Sequence, residues 1–108
     1  MNKLPIHGIS AHLGIITAPV KVLYDHSEVS KVKKGDIVVL EQSDHLFRSA
    51  VDIAGGIITN FGGLMSHAAI HARRLNIPCM VNTQNATEIL TDNLVITLDA
   101  TKGEIYSE

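Results

Sequence analysis

Residues 57–82 read IITNFGGLMSHAAIHARRLNIPCMVN, and the fold is decided by how this stretch is divided. Ile57 to Asn60 is a short β-branched run, cut off by Gly62-Gly63. Ser66 opens a helical pattern that runs to about Leu75, where Asn76 and then Pro78 close it. Pro78 to Asn82 returns to strand. On the N-terminal side, Ser43 stands as an N-cap before Leu46, Phe47, Ala50, Val51 and Ala54, which recur at helical spacing until Gly55-Gly56. Before that, Lys34-Gly35 is a turn into a strand from Asp36 to Glu41, and Gly14 to Tyr24 is a strand bent at Pro19. Beyond the central stretch, Thr87 to Leu90 is a helical turn, and Leu94 to Ser107 reads as a hairpin turning at Lys102-Gly103. The middle of the chain is therefore strand–helix–strand–helix–strand flanked by further strands, which implies a layered α/β domain with some parallel pairing.

The bulk properties narrow the field. A chain of 108 residues with 45% hydrophobic and 19% charged residues is expected to form one soluble domain, residues 1–108. A net charge of −2, two Tyr, two Phe and no Trp offer nucleic acid neither a basic field nor a stacking stripe. Cys79 is the only cysteine, which excludes an internal disulfide and a CxxC site. The apolar runs fall far short of the roughly 20 residues that span a bilayer. No apolar segment follows the N-terminal MNKLPIHG, so no secretory signal is read and the cytoplasm is expected.

The chemistry concentrates at the helix entrance. A helix N-terminus leaves backbone N–H groups unpaired and carries about half a positive charge, which favours anions and phosphate in particular. Gly62 and Gly63 let backbone approach a ligand closely, and Ser66 and His67 follow in the first turn. A neutral imidazole is a competent nucleophile near neutral pH, and the helix end disfavours imidazolium. Spacing leaves other readings open. His67 and His71 are one turn apart, as in helical metal pairs, but Ala68 stands where HExxH needs glutamate. Asp25, His26, His45 or Asp52 would have to supply a third ligand. The small residues between the histidines also suit packing against a sheet, with His67 hydrogen-bonded beside it. Arg73 lies about 240° round the helix from His67, and Arg74 shares its face about 10 Å further on, so spacing alone favours surface roles for both.

Taken whole, GGLMSHAAIHARRLNIPCMVN resembles the phosphohistidine motif of the mobile, or swivelling, domain of PEP-utilising enzymes. That family includes phosphoenolpyruvate synthase, pyruvate phosphate dikinase and the first enzyme of the sugar phosphotransferase system. The likeness extends through HGISAHLGIITAPVKVL, KKGDIVVLEQSD, DIAGGIITNFGG and the closing hairpin, so it covers nearly the whole chain. It implies a β/β/α swivelling domain in which His67 is the phosphoryl acceptor, with Gly62, Gly63, Ser66 and Arg73 around the phosphate. It further implies a nucleotide-binding or PEP/pyruvate-binding partner domain or subunit, with Mg2+ held there with ATP or PEP and no cofactor or metal on this chain. Neither nucleic acid nor membrane is an expected partner.

The departures from the family pattern are specific. Leu64 and Met65 stand where members often carry Arg and Thr, and Asn76 and Asn82 stand at positions commonly glycine. The chain has no P-loop lysine motif and no room for a barrel of about 250 residues. It is therefore expected to be a subunit or a domain of a phosphotransferase, incomplete as an enzyme by itself. The rival expectations are a non-catalytic docking relative and, more remotely, a His67/His71 metal module.

Overall fold

The computed structural model describes residues 1–108. The strands are β1 Asn2–Lys3, β2 Ile9–His12, β3 Ile15–Leu23, β4 Ile37–Leu40, β5 Gly56–Thr59, β6 Cys79–Val81, β7 Val95–Asp99 and β8 Glu104–Ser107. The helices are α1 Arg48–Val51, α2 His67–Leu75 and α3 Ala86–Ile89. Strand order is β1-β8-β7-β3-β4-β5-β6-β2, with β3, β4, β5 and β6 mutually parallel and the outer pairings antiparallel.

β3 joins the two halves. Its residues Ile15 to Pro19 pair with β7, and Val20 to Leu23 pair with β4. The change of partner falls at Pro19, the residue that has no backbone N–H to give to a ladder. All four residues of β4 are buried, as are all four of β5, because both faces of the parallel centre are covered. On one face Val38, Leu40, Ile57 and Val81 pack with Ala50, Val51, Ala68, Ala69 and Ala72 of α1 and α2. On the other, Ile37, Val39, Ile58 and Met80 pack with Ile96, Leu98 and Ile105 of β7 and β8. Each such fully buried aliphatic side chain contributes about 1.5–3 kcal/mol. The two sheet portions touch closely: a Cβ added at Gly56 would lie 3.1 Å from Ile16 and 3.2 Å from Leu98. The layering is thus sheet on sheet on helix, the β/β/α arrangement that the resemblance implies.

Several elements differ from the sequence reading. The strand read from Asp36 to Glu41 is trimmed to Ile37–Leu40. The helix read from Ser43 onward is a 3-10 turn, His45–Phe47, running into the short α1. Its cap is Asp44, whose carboxylate accepts from the Leu46 N–H at 2.8 Å, not Ser43. Leu46 is exposed as a consequence, while Phe47, Ala50, Val51 and Ala54 are buried as their spacing predicts. Residue patterning missed β1 and a 3-10 turn over His26–Lys31, which is held by a capping box between Asp25 and Glu28.

One buried ion pair ties the layers. Lys21 Nζ lies 3.1 Å from Asp36 Oδ2 and donates to Asn93 Oδ1 at 2.8 Å. Asp36 Oδ2 also accepts from the Lys33 N–H at 2.9 Å. Removing one member of such a pair strands the other charge in the interior. Lys21→Met is expected to destabilise the chain by about 3–5 kcal/mol, read as a lowered urea midpoint with unchanged slope.

Candidate functional site

The site is assembled where two parallel strands end together. Leu40 of β4 is in register with Thr59 of β5. The pairing continues past both strands, with Asn60 N–H to Leu40 C=O at 3.0 Å and Phe61 N–H to Glu41 C=O at 2.9 Å. Asn60 is buried and tied down at its side chain as well. Its Nδ2 donates to Thr87 Oγ1 at 2.7 Å, and its Oδ1 accepts from the Thr87 N–H at 3.1 Å. From this fixed point the chain turns through Gly62, whose φ of +113° is a left-handed conformation that side chains resist. A Cβ there would sit 3.0 Å from the Ser66 side chain. Gly63 has open space on that side, with nothing within 4 Å.

Ser66 caps α2, its Oγ accepting from the Ala69 N–H at 3.4 Å. The helix closes at Asn76, whose φ of 57° is the left-handed cap expected of an Asn replacing glycine. Asn82 likewise takes a φ of 57°. The Asn76 amide oxygen is bonded to His12 Nε2 at 2.8 Å, fixing the far end of α2 against β2.

His67 is the first residue of α2 and is partly buried. Its Nδ1 is 2.9 Å from Ser43 Oγ, and its Nε2 has no partner within the chain. Its pKa is lowered from 6.5, first by burial, then by His71, His45 and Arg48, with Asp44 opposing. The neutral imidazole expected at a helix end is thus favoured, with loss of water as the leading cause. Ser43 is the residue that sequence reasoning misassigned. It reads as a cap, but it is buried three residues past β4 and meets the histidine from the neighbouring strand's exit. Only the rule that parallel neighbours finish at one edge could have flagged it.

The other sequence candidates separate. Arg73 directs its guanidinium to two main-chain carbonyls, Leu64 O in the glycine loop and Ala11 O at 3.5 Å. Through Leu64 it holds the loop that Gly62 and Gly63 form. Leu64 and Met65 are 51% and 80% exposed, so the loop presents apolar side chains outward. His71 packs on His67 with ring centroids 4.2 Å apart. Of the residues considered as third metal ligands, His26 is paired with Asp44 at 3.0 Å, and Asp52 is held by Arg48 and Arg74, each at 3.3 Å. No group of three or more His, Cys, Asp or Glu is arranged to hold a metal ion. No helix is long and apolar enough to cross a membrane.

Residues 32–103 match the family described as PEP-utilising enzyme, mobile domain. This chain belongs to that family. It is 44% identical to an uncharacterised phosphotransferase of Bacillus subtilis, YvkC, over 93% of this chain and 12% of that protein. It is 42% identical to the phosphoenolpyruvate synthase of Pyrococcus furiosus over 94% of this chain and 12% of that protein. A probable phosphoenolpyruvate synthase of Archaeoglobus fulgidus is 39% identical over 97% of this chain and 14% of its own length. The chain therefore spans about one-eighth of the length of the curated relatives it matches. Among solved structures, the solution NMR structure of Enzyme I (nEIt) aligns with a TM-score of 0.62 at 24% identity, over 74% of this chain and 33% of that one. Thermococcus kodakaraensis aconitase X, in its holo form, aligns with a TM-score of 0.72 at 15% identity, over 95% of this chain and 97% of that one. At these identities the likeness is one of fold, and the fold alone does not fix a chemistry.

The two glycines of the mobile-domain loop are expected to behave differently. Gly62→Ala strains a left-handed residue against the Ser66 cap and should cost about 1–3 kcal/mol in thermal or urea denaturation. Gly63→Ala, facing open space, should leave stability within about 0.5 kcal/mol in the same measurement.

Proposed function

We propose that this mobile domain is a phosphohistidine carrier, taking a phosphoryl group on His67 and yielding it to a second acceptor. The observation that carries the reading is the two-sided environment of the His67 ring: Nδ1 engaged by Ser43 at 2.9 Å, Nε2 unbonded, at the mouth of α2 beside Gly62-Gly63. In the tautomer with the proton on Nδ1, Ser43 Oγ accepts that proton's hydrogen bond, and the Nε2 lone pair is available. Nε2 attacks the phosphorus of the donor, and the P–O bond to the leaving group breaks with its electron pair. No proton has to leave Nε2, and the other proton stays on Nδ1, hydrogen-bonded to Ser43 Oγ. Transfer onward reverses this pattern: the acceptor's nucleophile attacks phosphorus, and the N–P bond returns its electrons to Nε2.

The surroundings suit the charge that this step brings. Unpaired N–H groups at the start of α2, the Ser66 hydroxyl and the Gly62-Gly63 backbone are donors for a phosphoryl dianion. Arg73 serves the phosphate through the Leu64 carbonyl and the loop it holds. The donor, ATP or PEP with its Mg2+, belongs to a nucleotide-binding or PEP/pyruvate-binding domain or subunit, as the names of the phosphoenolpyruvate synthase relatives suggest.

Incubation with a phosphoenolpyruvate synthase deleted of its own mobile domain, and with ATP or PEP, is expected to add one phosphoryl group by intact mass. The label should survive base, be lost in acid and be absent from His67→Ala. Absence of label with either donor would favour a docking role, for which the exposed Leu64 and Met65 are suited. Because folding lowers the His67 pKa, the nucleophilic neutral form persists below pH 6.5, where an ordinary histidine is half protonated. The labelling rate should therefore fall to half its plateau at a pH below 6.5, as read from initial rates across the range.

A further inference from the structure

α2 carries its second histidine where it touches the first, and the contact is part of a closed circuit. The His67 and His71 rings are tilted by 51° with centroids 4.2 Å apart, van der Waals contact between one helical turn and the next. His71 Nδ1 is 2.6 Å from Arg74 NH2. A guanidinium can only donate, so Nδ1 is the acceptor and the His71 proton sits on Nε2. Arg74 in turn donates to Asp52 Oδ1 at 3.3 Å, and Asp52 Oδ2 accepts from Arg48 Nε at 3.3 Å. Arg48 begins α1 and Asp52 caps its end, and α1 follows directly from the segment that brings Ser43 to His67. The circuit thus leaves His67 through Ser43, passes along α1 to Arg48 and Asp52, crosses to Arg74, and returns through His71.

We propose that His71 is a positioning residue for phosphoryl transfer: held by Arg74, it forms the wall that keeps the His67 ring in its Nδ1–H form, with Nε2 turned out for reaction. The proposal rests on His67 being the carrier. A charged His71 would have to break the Arg74 bond and place a second cation beside that guanidinium, so the wall is uncharged near neutral pH. The groups facing His67 are Asp44 and His45 from the turn after β4, Arg48 from α1 and His71 from α2; those facing His71 are Arg74, Arg48 and Asp52. Burial first, and then these cations, lower the proton affinity of both imidazoles, so both rings are favoured in their neutral form. Without the wall, the Ser43 bond alone would hold a ring free to turn about its own axis, and both nitrogens would compete for that bond.

The test combines side-chain nitrogen NMR of the chain, labelled at histidine and titrated over about pH 5 to 8, with single-turnover labelling by the mobile-domain-deleted synthase. In the parent chain His67 should appear as the Nδ1–H tautomer. His71→Ala should mix the His67 tautomers and move its titration toward the ordinary value. It should also lower the labelling rate at saturating donor about tenfold, leaving half-saturation unchanged. His71→Phe, which restores an uncharged ring, should recover the rate to within about twofold, and Arg74→Gln should raise the titration of His71. Backbone amide spectra establish that each variant is folded. The proposal is overturned if folded His71→Ala keeps the parent tautomer and rate, which would leave His71 a packing residue. It is equally overturned if His71→Phe is as slow as His71→Ala, since the ring would then not be what matters. Failure of the carrier reading itself would appear separately, as no label on the parent chain, while the NMR titrations would still decide whether His71 governs the state of His67.

Discussion

The register between β4 and β5 is the constraint on which everything near His67 depends. Two parallel strands, level at Leu40 and Thr59, deliver two loops to the same edge, one carrying Ser43 and the other the glycines. Because all eight of their residues are buried, sliding one strand by a residue would turn Val38 and Leu40 out of one core and into the other. The packing lost in that slip is what holds the Ser43–His67 hydrogen bond in place. A single neutral hydrogen bond nets about 1 kcal/mol, far too little to set the geometry by itself. The core aligns the strands, and the polar contact is a consequence of the alignment.

The electrostatic design follows from the same economy of parts. A phosphoryl dianion and a neutral imidazole make compatible demands, because the N–H groups that attract the first also discourage protonation of the second. An exposed helix end supplies about 0.3–1 kcal/mol of such bias, and partial burial of the ring acts in the same direction and leads it here. The nearby cations are moderated rather than free. Asp52 is shared by Arg48 and Arg74, so the side of α2 beyond the histidines carries less net charge than its two arginines suggest.

Much of this was legible in the order of residues. A helix opening at about Ser66, Asn76 as left-handed stop, the Lys102-Gly103 hairpin and the strand–helix–strand centre all have local chemical causes, and all are present, with Ser66 itself the cap just ahead of the helix. What local patterning did not reveal is long-range. Ser43 reads as a cap because serine is a common residue before an apolar run; Asp44, one residue later, supplies a carboxylate that takes that task. Ser43's partner is 24 residues away and is set by strand register. Arg73 read as either a phosphate ligand or a solvated end, and its two carbonyl partners lie 9 and 62 residues distant. The partner change in β3 was foreshadowed by Pro19, read as a bend, although nothing local says which strand lies on either side of it.

The pairing of β1 with β8 has a mechanical consequence. Asn2 lies opposite Ser107 and Lys3 opposite Tyr106, with Lys3 and Glu104 joined by an ion pair on the same edge. A body whose two ends are neighbours can be let into a longer polypeptide at a single seam, without stretching either flank. Force or rotation applied through both flanks then acts at one point, as on a door hung from a single post. Any turning of such a body against its flanks would be taken up at that seam, beside the β1–β8 pair.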